Sequence, residues 1–130
     1  MSAEYEIDPS EFMVLVADKA SQFVYVNETY LQVSGYSWDE LKGSHIAAML
    51  HKDTPPQVND AMRRTLQQKQ SWTGIIKNQR KNGDYYWARL NMSPLHVRGG
   101  YAGALLVHSH ATREEIARFE PLGRVRSKVC

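Results

Sequence analysis

The chain has 130 residues, 42% hydrophobic and 23% charged, which describes one globular domain and excludes a disordered chain or two separate cores. Sixteen basic and fourteen acidic side chains leave a net charge of +2, too small to mark a nucleic-acid binder, and Arg124, Arg126 and Lys128 read as a solvated tail. The only cysteine, Cys130, excludes an internal disulfide; with no apolar run long enough to span a membrane and no signal-peptide pattern, the expected location is the cytoplasm.

Residues 1–11 are polar and acidic, with Pro9 near their end, and read as an N-terminal arm able to dock elsewhere. The domain proper is expected over 12–110. Phe12 to Ala17 and Phe23 to Val26 are short apolar runs that predict two strands joined as a hairpin. Asn27 then caps a short helix carrying Tyr30, Leu31 and Val33, which Gly35 ends. Ser37 with Glu40 forms a capping box for a second helix, terminated by Gly43. His45 to Leu50 suits one buried helical turn, and a loop interrupted by Pro55-Pro56 follows. From Pro56 a longer helix reaches about Gln68, with Val58, Met62, Thr65 and Leu66 on one face.

The stretch Trp72 to Leu95 carries a hairpin signal, because Asn82-Gly83 suits a two-residue turn with positive φ. On its second strand Tyr86, Ala88, Leu90 and Met92 alternate with Tyr85, Trp87, Arg89 and Asn91, so the first set is expected to meet the core. Gly74, Ile76 and Asn78 share one face of the first strand, and a strand glycine marks close approach by another group. A strict two-residue turn sets Asn78 opposite Trp87, whereas a one-residue bulge sets it opposite Ala88 on the apolar face. Tyr101 to His108 is nearly all apolar and predicts a central strand. Thr112 with Glu115 then opens a helix running to Glu120 before Pro121. Strands first and last, with helices between, imply an α+β fold built on an antiparallel sheet.

The residues offer few catalytic or metal sites. His108 and His110 can share a strand face, but nothing supplies the further ligands zinc needs. Haem through His45 or His51 is a minor reading. No nucleophile elbow, paired carboxylates or glycine-rich phosphate loop is present, so neither an enzyme nor a Rossmann mode of dinucleotide binding is expected. Cys130 is too remote to form a photochemical adduct. Asn78 offers a donor and an acceptor on one amide, which matches the polar edge of a heteroaromatic ring, although alternation alone leaves it equally able to face solvent. Trp72 could stack on such a ring or fill the core.

The order of elements, with YVNETYLQVSGYSWDELKG after the second strand, resembles a PAS domain, a five-stranded sheet cupping a pocket closed by short helices. HKDTPP, WTGIIKNQRKNGDYYWARLNMSPL and ATREEIARFEPL further resemble the sensor domain of bacterial aerotaxis receptors. That resemblance implies non-covalently bound FAD, whose redox state passes to a downstream chemotaxis signalling module through a helix and linker over 111–130. It also allows a homodimer and a receptor attached to the membrane. Carried over, the family's flavin contacts fall on Asn27, His51, Asp53, Trp72 and Asn78. The family's Arg-His-Pro-Asp loop reads Leu50-His51-Lys52-Asp53 here, and Arg63 stands where the family has tryptophan. Those two departures motivate a second reading, a PAS interaction or small-ligand module without flavin. An oxygen or redox sensor holding FAD remains the first.

Overall fold

The computed structural model describes residues 2–118, so the expected helix end at Glu120 and Pro121, the basic tail and Cys130 lie outside the described residues. Five strands form one antiparallel sheet: β1 (Phe12–Ala17), β2 (Phe23–Val26), β3 (Trp72–Gln79), β4 (Tyr85–Val97) and β5 (Gly100–His110). Their spatial order is β2-β1-β5-β4-β3, which puts apolar β5 in the middle, as its composition predicts. The fold is α+β. Between β2 and β3 the chain forms α1 (Glu28–Ser34), α2 (Trp38–Leu41), a 3-10 turn (Ile46–Met49) and α3 (Pro56–Gln67). Side chains of these segments pack on one face of the sheet, and the core lies between.

Local chemistry sets most helix ends. Asn27 accepts from Tyr30 N–H at the start of α1, and Gly35 closes that helix in a left-handed conformation. Both bonds of the Ser37–Glu40 capping box form, although α2 stops at Leu41 with Lys42 as its cap rather than at Gly43. Pro56 occupies the first turn of α3, where its missing N–H costs nothing.

The β3–β4 hairpin departs from the expected turn. Gln79 pairs with Tyr85, and Arg80 N–H donates to Asp84 C=O at 2.6 Å, leaving Lys81, Asn82 and Gly83 as the loop. Gly83 supplies the positive φ (95°) that such a three-residue hairpin needs. Asn78 therefore sits opposite Tyr86, neither Trp87 nor Ala88, and on the core face with Ile76. The close approach marked by Gly74 comes from within the strand. A Cβ placed there would stand 2.4 Å from the Trp72 ring, which lies over this position.

The two ends of the described chain meet on this framework. Tyr5 N–H donates to Tyr85 C=O (2.7 Å) and Tyr85 N–H to Ala3 C=O (3.0 Å), so the arm docks on the start of β4, and Ile7 is buried. His110 Nδ1 bonds Ile7 C=O at 2.9 Å. The helix opened by Thr112, α4, is described over 113–118, and its Arg113 pairs with Glu4 and Glu6. Ala111 and Ile116 pack with Ile75 and Trp87 in a small second cluster on the opposite side of the sheet from the main core. Arg89 fastens α4 there with two bonds to Glu115, at 2.6 and 2.9 Å.

Two outcomes follow from this packing. Gly103 has φ 145°, and a Cβ there would stand 2.0 Å from Ala17 C=O, so Gly103→Ala forces β1 and β5 apart. Its expected cost is about 2 kcal/mol or more, read as a thermal midpoint lowered by roughly 5 °C or more; an unchanged midpoint would show that the strands yield freely. Hydrogen bonding from Arg89, then from Thr112 N–H, holds the Glu115 carboxyl down at about 2 from its ordinary 4.5. A depressed folded value stabilises above the unfolded one and is lost as pH falls, so the contact weakens from about pH 4.5 toward about 2. Melts across that range should show a shallower acid slope for Arg89→Met than for the parent.

Candidate functional site

Between the sheet and the helical segments lies a cavity of about 170 Å³. Leu15, Ile76, Leu90 and Leu106 form its floor, while Met49, Leu50, Met62 and Leu66 form its roof. His45, Asn59 and Arg63 border it and are exposed, which places them at its mouth. The wall is apolar apart from a few buried groups. Among the described residues, three residues lining this space carry a buried side-chain atom without a hydrogen-bond partner: Tyr30 Oη, Asn78 Oδ1 and His108 Nδ1. In a well-formed core such atoms are rare, because each forfeits its hydration without replacement.

Asn78 reaches the cavity because the hairpin register turns it inward. Its Nδ2 donates to Tyr86 Oη at 3.1 Å, which orients the amide and leaves Oδ1 as a bare acceptor. Burial pushes the Tyr86 hydroxyl up to about 12 and the Tyr30 hydroxyl well above its ordinary value, and it pushes His108 down to about 4. All three groups are neutral at pH 7. An ionised ligand group would find no counter-charge among them, so the deep cavity suits a neutral ring with hydrogen-bonding edges. Any charged part of a ligand belongs at the mouth, where Arg63, among the described residues, is held by an exposed pair with Asp60.

The other four expected contacts, Asn27, His51, Asp53 and Trp72, are not among the residues that line this cavity. Asn27 is occupied by the backbone: its Oδ1 accepts from Val14 and Tyr30 N–H, and its Nδ2 donates to Phe12 C=O. It ties α1 to β1. His51 N–H donates to Lys77 C=O, its Nδ1 accepts from Asp53 N–H, and its ring meets Tyr85 edge-on. Burial, with Lys77 nearby, lowers its proton affinity. Asp53 is exposed and pairs with Lys77 at 3.4 Å, while Lys77 itself lies over the Tyr85 and Trp87 rings. Trp72 packs against the core edge over Gly74. His51, Asp53 and Trp72 brace β3 and the loop that brings Leu50 beside Asn78.

Ser21, Tyr30, Asn59 and His108 are polar residues of the cavity lining that sequence reasoning does not place there. Spacing places Tyr30 on α1, and strand alternation offers His108 as a metal ligand, but among the described residues no group of three or more candidate ligands occurs. The available signal was an unpaired histidine in a run of apolar strand residues.

The family model for the PAS fold matches residues 23–103. The chain belongs to the PAS fold family. This PAS chain is 40% identical over 110 residues to the aerotaxis receptor of Escherichia coli K12, covering 85% of itself and 22% of that protein. It is 25% identical over 89 residues to a nitrogen fixation regulatory protein of Klebsiella oxytoca, covering 68% of itself and 18% of that protein. It therefore spans about a fifth of the length of these curated relatives. Among solved structures it resembles one from a flavin-analogue study of a light-oxygen-voltage domain, with a TM-score of 0.76, 20% identity and 90% coverage of both chains. At that identity the likeness concerns the fold of the PAS domain. Among the described residues no helix is long and apolar enough to cross a membrane.

The backbone role of Asn27 generates a direct test. Asn27→Ala removes three side-chain hydrogen bonds, two to β1 and one to the first turn of α1, and a destabilisation of about 1–2 kcal/mol is expected by denaturant unfolding. A loss below a few tenths would mean that the backbone does not need this tie.

Proposed function

We propose that this PAS domain is the cytoplasmic sensor of an aerotaxis or chemotaxis receptor, holding FAD non-covalently and reporting redox or oxygen state. The observation that carries the reading is the bare Oδ1 of Asn78, buried in an apolar cavity with its amide oriented by Tyr86. Such an amide complements the alternating N–H and C=O edge of an isoalloxazine ring. The identity with an aerotaxis receptor and the fold shared with a light-oxygen-voltage domain studied with a flavin analogue support the same choice.

When bound, the flavin supplies the redox chemistry; the chain binds it, orients it and excludes water. Asn78 makes the ring contact. Asn27 positions Tyr30 through the start of α1, and His51, Asp53 and Trp72 hold β3 and its neighbouring loop in place. A cavity of about 170 Å³ is smaller than the roughly 300–1,000 Å³ of ordinary small-molecule sites, so a tricyclic ring would need the lining to give way, and Met49 and Met62 are the methionines there that could yield. Unbranched methionine side chains make that movement cheap. Arg63, exposed at the mouth, would be the cation available to the phosphates of a bound dinucleotide. β5 lines the cavity with Leu106 and His108 and runs directly into Ala111 and α4, which offers a route from ring to downstream signalling module.

The absorption spectrum of the protein as purified, followed by titration with FAD, FMN and riboflavin, tests this reading. A flavin spectrum is expected, with Asn78→Ala weakening binding by about tenfold, since an unpaired polar edge costs on the order of 1–3 kcal/mol. A parent protein that stays colourless in excess FAD would favour a PAS module without flavin.

A further inference from the structure

The segment from His45 to His51 roofs the cavity. His45, Ile46, Ala47, Met49 and Leu50 all line it, and the segment hangs between two separate parts of the sheet. Its front end is tied where Gln22 pairs with His45 and Ile46 N–H donates to Ser21 C=O at 2.8 Å. Its back end is tied to β3, where Leu50 pairs with Asn78 and His51 N–H donates to Lys77 C=O at 2.9 Å. Thr54 Oγ1 donates to the same carbonyl at 3.1 Å.

Each end is closed by a histidine used in the same way. His45 Nδ1 accepts from Ala47 N–H at 3.1 Å and caps the 3-10 turn; His51 Nδ1 accepts from Asp53 N–H at 3.0 Å and closes the turn that ends at Thr54. A side chain bonded to the N–H two residues on is the usual work of asparagine, aspartate or serine, whose oxygens accept throughout the neutral range. An imidazole accepts there only while Nδ1 carries no proton. Protonation turns each acceptor into a donor facing a donor, so the same chemical event breaks the bond at either end.

The surroundings of the two rings differ. His51 is buried and meets Lys77 of β3, the Tyr85 ring of β4, and Lys52 and Asp53 of its own loop. Burial, then Lys77, lowers its proton affinity from the ordinary 6.5, against the pull of Asp53, whose carboxylate lies 3.6 Å from Nδ1 and 3.4 Å from Lys77 Nζ. A base with a depressed folded value stabilises the closed loop above pH 6.5, and that contribution is lost as pH falls below it. His45 is exposed and shares the cavity mouth with Arg63 of α3.

We propose that residues 45–51 form a pH-sensitive lid on the cavity, latched at both ends by neutral histidines and released when these take up protons. The lid sets how fast a ligand enters and leaves, and it takes from the flavin reading only the cavity, not the identity of the ring.

The test titrates the ligand-free protein from about pH 7.5 to about pH 5, following by NMR the ring shifts of His45 and His51 and the exchange protection of the Ala47 and Asp53 amides. Protection at both amides is expected to fall about fivefold or more as the rings protonate, with Leu90 of β4 unchanged. His45→Asn and His51→Asn keep an acceptor at the same reach, and they should make protection at Ala47 and at Asp53, respectively, independent of pH. Riboflavin, used as the probe, should leave the parent about fivefold faster at the acid end, and leave the double variant at one rate throughout. Constant protection of Ala47 and Asp53 across the parent titration would overturn the proposal, whether or not the variants fold. An equal loss at Leu90 would overturn it as well, because the whole domain would be opening. So would a fall in protection with unchanged riboflavin release, since the segment would not gate the cavity. A parent that binds no riboflavin removes the flavin reading alone, and the amide protection then decides on the lid.

Discussion

The pairing of Gln79 with Tyr85 across a three-residue loop decides which side of the sheet every residue of β3 occupies. Strand side chains alternate with a period of two, so a slip of one residue between β3 and β4 would turn Asn78 and Ile76 out of the cavity and bring Lys77 and Ile75 in. Gly83 makes that loop possible, and the bond from Arg80 N–H to Asp84 C=O closes it. The arm reinforces the same register from outside, since both of its backbone bonds go to Tyr85, the first residue of β4. One short turn thus governs the floor of the cavity, the amide that reaches into it, and the seat of the arm.

β5 connects the two faces of the sheet. Its inward residues Leu106 and His108 border the cavity, and His110, also inward, binds the carbonyl of Ile7 in the arm. Immediately afterwards Ala111 joins Ile116, Ile75 and Trp87 in the cluster on the other side. Arg89 and Arg113 tie the start of α4 to β4 and to the arm. Few residues separate the cavity wall from these ionic contacts, so a displacement of the wall has little chain in which to dissipate.

Much of the fold was legible because its signals are local. The ends of β1 and β2, the Asn27 cap, the Ser37–Glu40 and Thr112–Glu115 boxes and the inward set Tyr86, Ala88, Leu90 and Met92 all follow from spacing and capping chemistry within a few residues. The central place of β5 followed from its unbroken apolar run. What the sequence withheld depends on contacts far apart in the chain. Asn82-Gly83 suits a two-residue turn just as well, and only the pairing of entire strands selects three. Nothing near Trp72 says that its ring will cover Gly74. Tyr30 and His108 are 78 positions apart, and their edge-to-face contact exists only once α1 has closed over β5. The family resemblance names Asn27, His51, Asp53, Trp72 and Asn78 together, and only the long-range packing distinguishes Asn78, which lines the cavity, from the other four, which do not.

The contacts of Arg113 with Glu4 and Glu6 set the first and last described segments of the domain against each other on one flank of the sheet. Segments so placed can be joined by a short flexible linker with little loss of conformational entropy. A circular permutant closed there and opened in the exposed Val97–Gly100 turn would keep the β3–β4 loop intact and present its new termini at the opposite end of β5. The domain could then be inserted as a cassette into a loop of an unrelated host protein, with the cavity inside the guest and the host attached at two adjacent points.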